Sequence, residues 1–119
     1  FSRFEAPGGI RTSNYISGNQ WDAPFGWAPL QLIAVKGLLR YGYRVEAKRI
    51  AQKFVDLTVK DFERCGYLLE KYDLERCSGL VSDEIQFGYS SNEIGFGWTN
   101  GVVVELLAIL ESLNHRALA

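Results

Sequence analysis

The chain has 119 residues, 47% of them apolar and 23% charged, with a formal net charge of −1; this is the make-up of one small globular domain, or part of one, and it excludes a disordered or fibrous chain. Lys and Arg are interspersed with Asp and Glu, so no basic stripe is present to displace counterions from a phosphate backbone, which speaks against DNA and RNA as partners. Cys65 and Cys77 are too few for a disulfide framework and lack metal-ligand spacing, so neither a structural zinc nor any other metal site is expected; the longest apolar run, Gly101 to Leu110, contains Glu105 and is too short to span a membrane.

In chain order, residues 1 to 27 are broken by PGG at 7 to 9 and by Ser, Asn and Gly through Asn19, which predicts irregular structure. The decapeptide QWDAPFGWAP, residues 20 to 29, gathers two Trp, a Phe and two Pro around one Gln and one Asp. It is too interrupted by Pro and Gly for a helix interior or a strand, and is expected to be a loop. Pro29 suits a first helical turn, where its missing N–H costs nothing. Leu30, Ile33, Ala34, Gly37 and Leu38 then follow at helical spacing, predicting a helix over about 29–41 that Gly42 ends.

A second helix is predicted from Arg44 to a stop at Gly66, with Ala47, Ile50, Ala51, Phe54, Val55, Thr58 and Phe62 on one face. The short link at Gly42–Tyr43 makes it an antiparallel neighbour of the first. The third helix is expected over about 100–114, with Thr99 or Asn100 as its cap and Val103, Leu106, Leu107, Leu110 and Leu113 as its buried stripe. The fold class is therefore all-α, with about three main helices and long aromatic-rich loops. The stretch from Tyr67 to Trp98 lacks a helical period, and loops of that length in compact domains are usually functional or disordered; this one is too aromatic for disorder. If the helices pack as a bundle or ring, both aromatic loops can open on one face.

Sugars present faces of C–H groups and rims of hydroxyls, so their sites combine flat aromatic rings with Asp, Asn, Gln and Arg. QWDAPFGWAP offers both, although Trp21 and Trp27 also suit a structural corner that Asp22 caps. Glu70 in LLEKYD follows two leucines, an apolar setting fit for an acid or base; taken alone, a solvated pair with Lys71 is the more ordinary reading. In IGFGWTNG, Gly95 and Gly97 flank Phe96 and lead to Trp98, a pattern equally suited to a site wall or to an aromatic plug at a helix start. His115 reads as a solvated helix end.

PGGI at 7 to 10, QWDAPFGWAP with LQ at 30 to 31, EKYD at 70 to 73 and GFGWTNG at 95 to 101 occur in an order that resembles the α,α-trehalase family of glycosidases. The resemblance implies an (α/α)6 barrel, of which residues 1–119 form the incomplete C-terminal part. The start at Phe1 and the lack of any Met fit a piece of a longer polypeptide. It further implies hydrolysis of the disaccharide trehalose with inversion, with Glu70 as general base and with no cofactor, because acid–base glycoside hydrolysis needs none. The family's general acid, an aspartate, lies upstream of any segment matched here, as do most of its sugar-binding arginines, so this piece alone is expected to be inactive. Gln20, Trp21, Asp22 and Trp27 are then expected to line or support the sugar pocket and Phe96 and Trp98 to close it. One departure stands out: Tyr89 occupies the place of a lid glutamate, for which Glu84 or, nearer the FGW block, Glu93 is the substitute. Two alternatives accompany this reading: a catalytically inactive sugar-binding helical module, and a hydrolase of a different α-glucoside.

Overall fold

The computed structural model describes residues 1–118, and within them three helices carry the architecture: α1 (Ala28–Arg40), α2 (Arg44–Cys65) and α3 (Gly97–Leu118). Four short strands supplement them: β1 (Glu5–Ala6), β2 (Gly9–Ile10), β3 (Phe25–Trp27) and β4 (Lys71–Asp73). β1 and β2 form an antiparallel pair in the segment expected to be irregular. β3 lies inside the decapeptide, correcting the expectation of a pure loop: Phe25, Gly26 and Trp27 pair antiparallel with Asp73, Tyr72 and Lys71. A three-residue strand has no period to read, and its partner is distant in sequence.

Pro29 stands in the first turn of α1, and the chain leaves the helix through Gly42 at φ +85°. The left-handed conformation lets the N–H groups of Gly42 and Tyr43 turn back to the carbonyls of Leu39 and Leu38. α2 begins at once at Arg44, and its buried face follows the expected one through Ala47, Ile50, Ala51, Phe54, Val55 and Thr58.

The faces differ from expectation at three points. On α1 the buried residues are Ala28, Gln31 and Val35, while Ile33 is 66% exposed. This helix is apolar nearly all round, so its periodicity selects no single face. On α2 Phe62 is exposed and Leu57 and Asp61 are buried instead; on α3 Leu107 is exposed and Val102 joins Val103, Leu106, Leu110 and Leu113 inside. Apolar side chains consequently stand in solvent on all three helices, among them Ile33, Val59 and Val104. No helix among the described residues is long and apolar enough to cross a membrane.

α3 starts at Gly97, two or three residues before the expected cap at Thr99 or Asn100. Thr99 lies within its first turn and donates its hydroxyl to the Leu69 carbonyl at 2.7 Å, tying the helix to the segment that carries Glu70.

Candidate active site

Glu70 immediately precedes β4 and is 2% exposed. Its surroundings are fixed mainly through the backbone. The Glu70 N–H donates to the Glu93 carbonyl at 3.0 Å, and the Gly95 N–H donates to the Leu68 carbonyl at 2.7 Å. One residue on, the Asn92 side chain accepts from the Lys71 N–H at 3.1 Å and donates to the carbonyls of Lys71 and Gly79 at 2.9 and 2.7 Å. The loop from Gln86 to Ile94, which has no regular structure of its own, is thereby bonded along the Glu70 segment.

The Glu70–Lys71 ion pair exists, but it is buried rather than solvated: the two side chains are 3% and 0% exposed, with Nζ 3.0 Å from Oε2. Adjacent charges in sequence usually read as surface, and only the wall formed by β3 and the loop reverses this. The ammonium also donates to the Ser91 carbonyl at 2.6 Å and lies 5.3 Å from the Trp27 ring centroid and 4.3 Å from that of Tyr89. These contacts supply the hydrogen bonds and π-faces that a buried cation requires. The other carboxylate oxygen, Oε1, accepts the hydroxyl of Tyr89. That carboxylate, chiefly through this hydrogen bond, pushes the Tyr89 phenol up to about 12, so the hydroxyl keeps its proton and acts as donor at neutral pH.

Beside this pair the two aromatic loops meet. Trp21 stacks on Trp27, and Trp98 stands edge-on to Trp27 at 5.7 Å and to Trp21 at 6.4 Å, with Phe96 4.8 Å from Trp98. Trp27 is fully buried and donates its indole N–H to the Gln20 carbonyl at 2.9 Å, whereas Trp21 and Trp98 are 44% and 38% exposed. Gln20 itself is buried; its N–H donates to the Phe87 carbonyl, its side chain lies against Gly88, and its Oε1 is a buried acceptor with no hydrogen-bond partner among the described residues.

Among the described residues neither the Asp22 nor the Glu93 carboxylate bonds to Glu70 or Lys71. The Asp22 carboxylate accepts the hydroxyls of Ser17 and Ser13, which together hold it below the usual carboxylate range; it organises the loop of residues 13–22. The Glu93 side chain is exposed, and its main-chain carbonyl is what reaches Glu70. Glu84, the other substitute for the lid glutamate, is paired with Arg76. The participants that sequence reasoning did not single out are Lys71 as a buried group and Asn92 as a brace, and a lone Asn in a loop carries no signal for such a role. A separate concavity of about 320 Å³, lined by Arg64, Tyr67, Leu69 and Asn92 among others, includes Glu84 but neither Glu70 nor any of the three Trp.

Three packed helices presenting an aromatic loop face with a buried carboxylate define an all-α fold that forms part of an (α/α)6 barrel. The structure is similar to that of the neutral trehalase from Saccharomyces cerevisiae, with a TM-score of 0.66 and 30% sequence identity over 98% of this chain and 20% of that one. A trehalase family model matches residues 1–111, and the chain belongs to the trehalase family. Among its relatives, the periplasmic trehalase of Pseudomonas aeruginosa is 42% identical over 103 residues, 87% of this chain and 18% of the relative. That of Xanthomonas oryzae pv. oryzae is 45% identical over 112 residues, 93% of this chain and 19% of the relative. The chain thus spans about a fifth of the length of the proteins it matches.

Proposed function

We propose that residues 1–119 are the C-terminal part of a single (α/α)6 catalytic domain, and that the complete protein hydrolyses trehalose to two glucoses with inversion, Glu70 serving as general base. The observation that carries this reading is the Glu70 carboxylate: nearly fully buried, held at one oxygen by a cation, and covered at the other by the hydroxyl of a half-exposed tyrosine. A base in an inverting glycosidase must present one oxygen to a water. The water oxygen bonds to the anomeric carbon as its proton passes to the carboxylate. The glycosidic bond breaks on the opposite face, and its oxygen takes a proton from an acid supplied by another part of the polypeptide. Trp21 and Trp98 offer partly exposed ring surfaces to the C–H faces of the sugar, with Trp27 and Phe96 supporting them. Gln20 supports the wall through its main chain, whose carbonyl accepts the Trp27 indole N–H, and Asp22 fixes the loop that carries Trp21. The Glu93 carboxylate, exposed on the Tyr89 loop, contacts a sugar hydroxyl at the rim.

The test is glucose release from trehalose and from maltose by the complete protein, with anomeric configuration followed by NMR, for wild type and Glu70→Gln. One α- and one β-glucose from trehalose are expected, falling about 10²- to 10⁴-fold in the variant. Near-normal turnover by Glu70→Gln overturns the assignment of the base. Release from maltose alone moves the specificity to another α-glucoside, and sugar binding without release from either identifies an inactive binding module.

A further inference from the structure

Lys71 is a fully buried lysine beside the carboxylate, and its burial has no packing rationale of its own. An ammonium withdrawn from water is costly, and an apolar side chain of the same volume fills such a space at least as well. What the cation adds is a set of directed contacts, and all of them converge on the reaction centre. Its hydrogen bonds go to Glu70 Oε2 at 3.0 Å and to the Ser91 carbonyl at 2.6 Å, and the rings in reach are those of Trp27 and Tyr89. The ammonium therefore bonds at once to the carboxylate and to the loop whose tyrosine covers it.

We infer that Lys71 is a positioning residue for the reaction, an inference that rests on Glu70 being the base. Oε2 is fixed by a group with no access to solvent, and Oε1 is held by the hydroxyl of Tyr89, which is 48% exposed. Oε1 is consequently the oxygen that receives the proton, and the Tyr89 hydroxyl is the contact that gives way to the reacting water. With Oε2 anchored, the carboxylate does not rotate when that exchange occurs, and the geometry of proton transfer is set before the water arrives. Ser91 links the two events, because the same ammonium that orients Glu70 holds the loop two residues beyond Tyr89.

The experiment is a double-mutant cycle in the complete protein: wild type, Glu70→Gln, Lys71→Met and the double variant, with kcat and KM for trehalose and a thermal melt of each. Lys71→Met is expected to lower kcat about 10²-fold with KM within about twofold, the size of effect that misplacing a reacting group produces. In the Glu70→Gln background the same change is expected to add no further loss, because a residue that acts through the carboxylate is silent once the carboxylate is gone. An unchanged kcat in Lys71→Met, with Glu70→Gln inactive, overturns the inference and leaves the base assignment standing. Equal fractional losses in both backgrounds also overturn it, by making Lys71 a contributor to folding alone. Near-normal turnover by Glu70→Gln overturns both readings together. Should Lys71→Met fail to fold, Lys71→Gln, which keeps a donor toward Ser91, is measured in the same cycle with the same expectations.

Discussion

Trp21 and Trp27 stack with ring centroids 3.8 Å apart and planes within 4° of parallel, yet one is 44% exposed and the other fully buried. The stack has an inner ring that belongs to the core and an outer ring that faces solvent. Substituting each with Ala separates their parts. Trp27→Ala is expected to destabilise the protein by about 3 to 5 kcal/mol, as for other buried aromatic residues. Trp21→Ala is expected to leave the melting temperature within a few degrees and to raise KM for trehalose. Calorimetry and initial rates on both variants check this, and the reverse pattern refutes it.

Gln31 completes a different structure. It is fully buried in α1, and its amide bonds both main-chain groups of Ile10, accepting from N–H and donating to C=O at 2.7 Å each. The side chain stands in for a neighbouring strand beside β2. Gln31→Leu keeps the volume but leaves both groups unsatisfied, at about 1 to 3 kcal/mol for each buried orphan. Denaturant unfolding reads the loss; a stability equal to wild type shows that water satisfies Ile10 in its place.

Gly26 faces Leu74 so closely that an added Cβ falls 2.4 to 2.7 Å from three of its side-chain atoms. Leu74 is fully buried, so its side chain must repack within the core to make way. Gly26→Ala is therefore expected to cost about 1 to 3 kcal/mol, the usual range for overpacking, and to part β3 from β4. A drop in melting temperature together with lost activity is the expected result. Unimpaired activity shows that Leu74 repacks.

Glu5 ties β1 to α2 through Arg49 at 2.8 Å and Lys53 at 2.6 Å, and the Arg49 guanidinium is foremost in lowering its pKa from 4.5 to about 2. A carboxyl whose folded value is depressed contributes stability above its unfolded value and loses it as the pH falls through the folded one. The contribution is complete above pH 4.5 and disappears between there and about 2. It is about 1 kcal/mol at low salt, since the pair borders solvent. Comparing melting temperatures of wild type and Glu5→Gln from pH 7 to pH 2 is expected to show a gap that closes in this window. A gap independent of pH assigns the effect to packing.

The first two helices and the turn between them were legible because Pro29, Gly42 and Gly66 punctuate their helical patterns, and the third from its apolar stripe alone. The meeting of the two Trp loops was legible only on the condition that the helices pack together, since each loop leads into a helix start. The setting of Glu70 was not. A Glu-Lys pair reads as surface when only its neighbours in sequence are considered, and what buries it is β3, whose three residues have no periodicity, together with a loop held by the side chain of Asn92. Leu107 and Ile33 were misplaced for a related reason: a helix that is apolar around most of its circumference names no single core face.

The pairing of β3 with β4 joins segments separated in the chain by the whole of α1 and α2. The helical hairpin between them closes through a three-residue link, so it forms from local contacts, while the strand pair must first meet the entropy of closing a long loop. Order in time follows from this topology. The hairpin is therefore expected to assemble first and act as the template, with the carboxylate, its lysine and the indole stack coming together in a late step. A variant that weakens only the β3–β4 junction is then expected to unfold faster while folding at a nearly unaltered rate, because the Glu70 edge of the molecule is built after the barrier has been crossed.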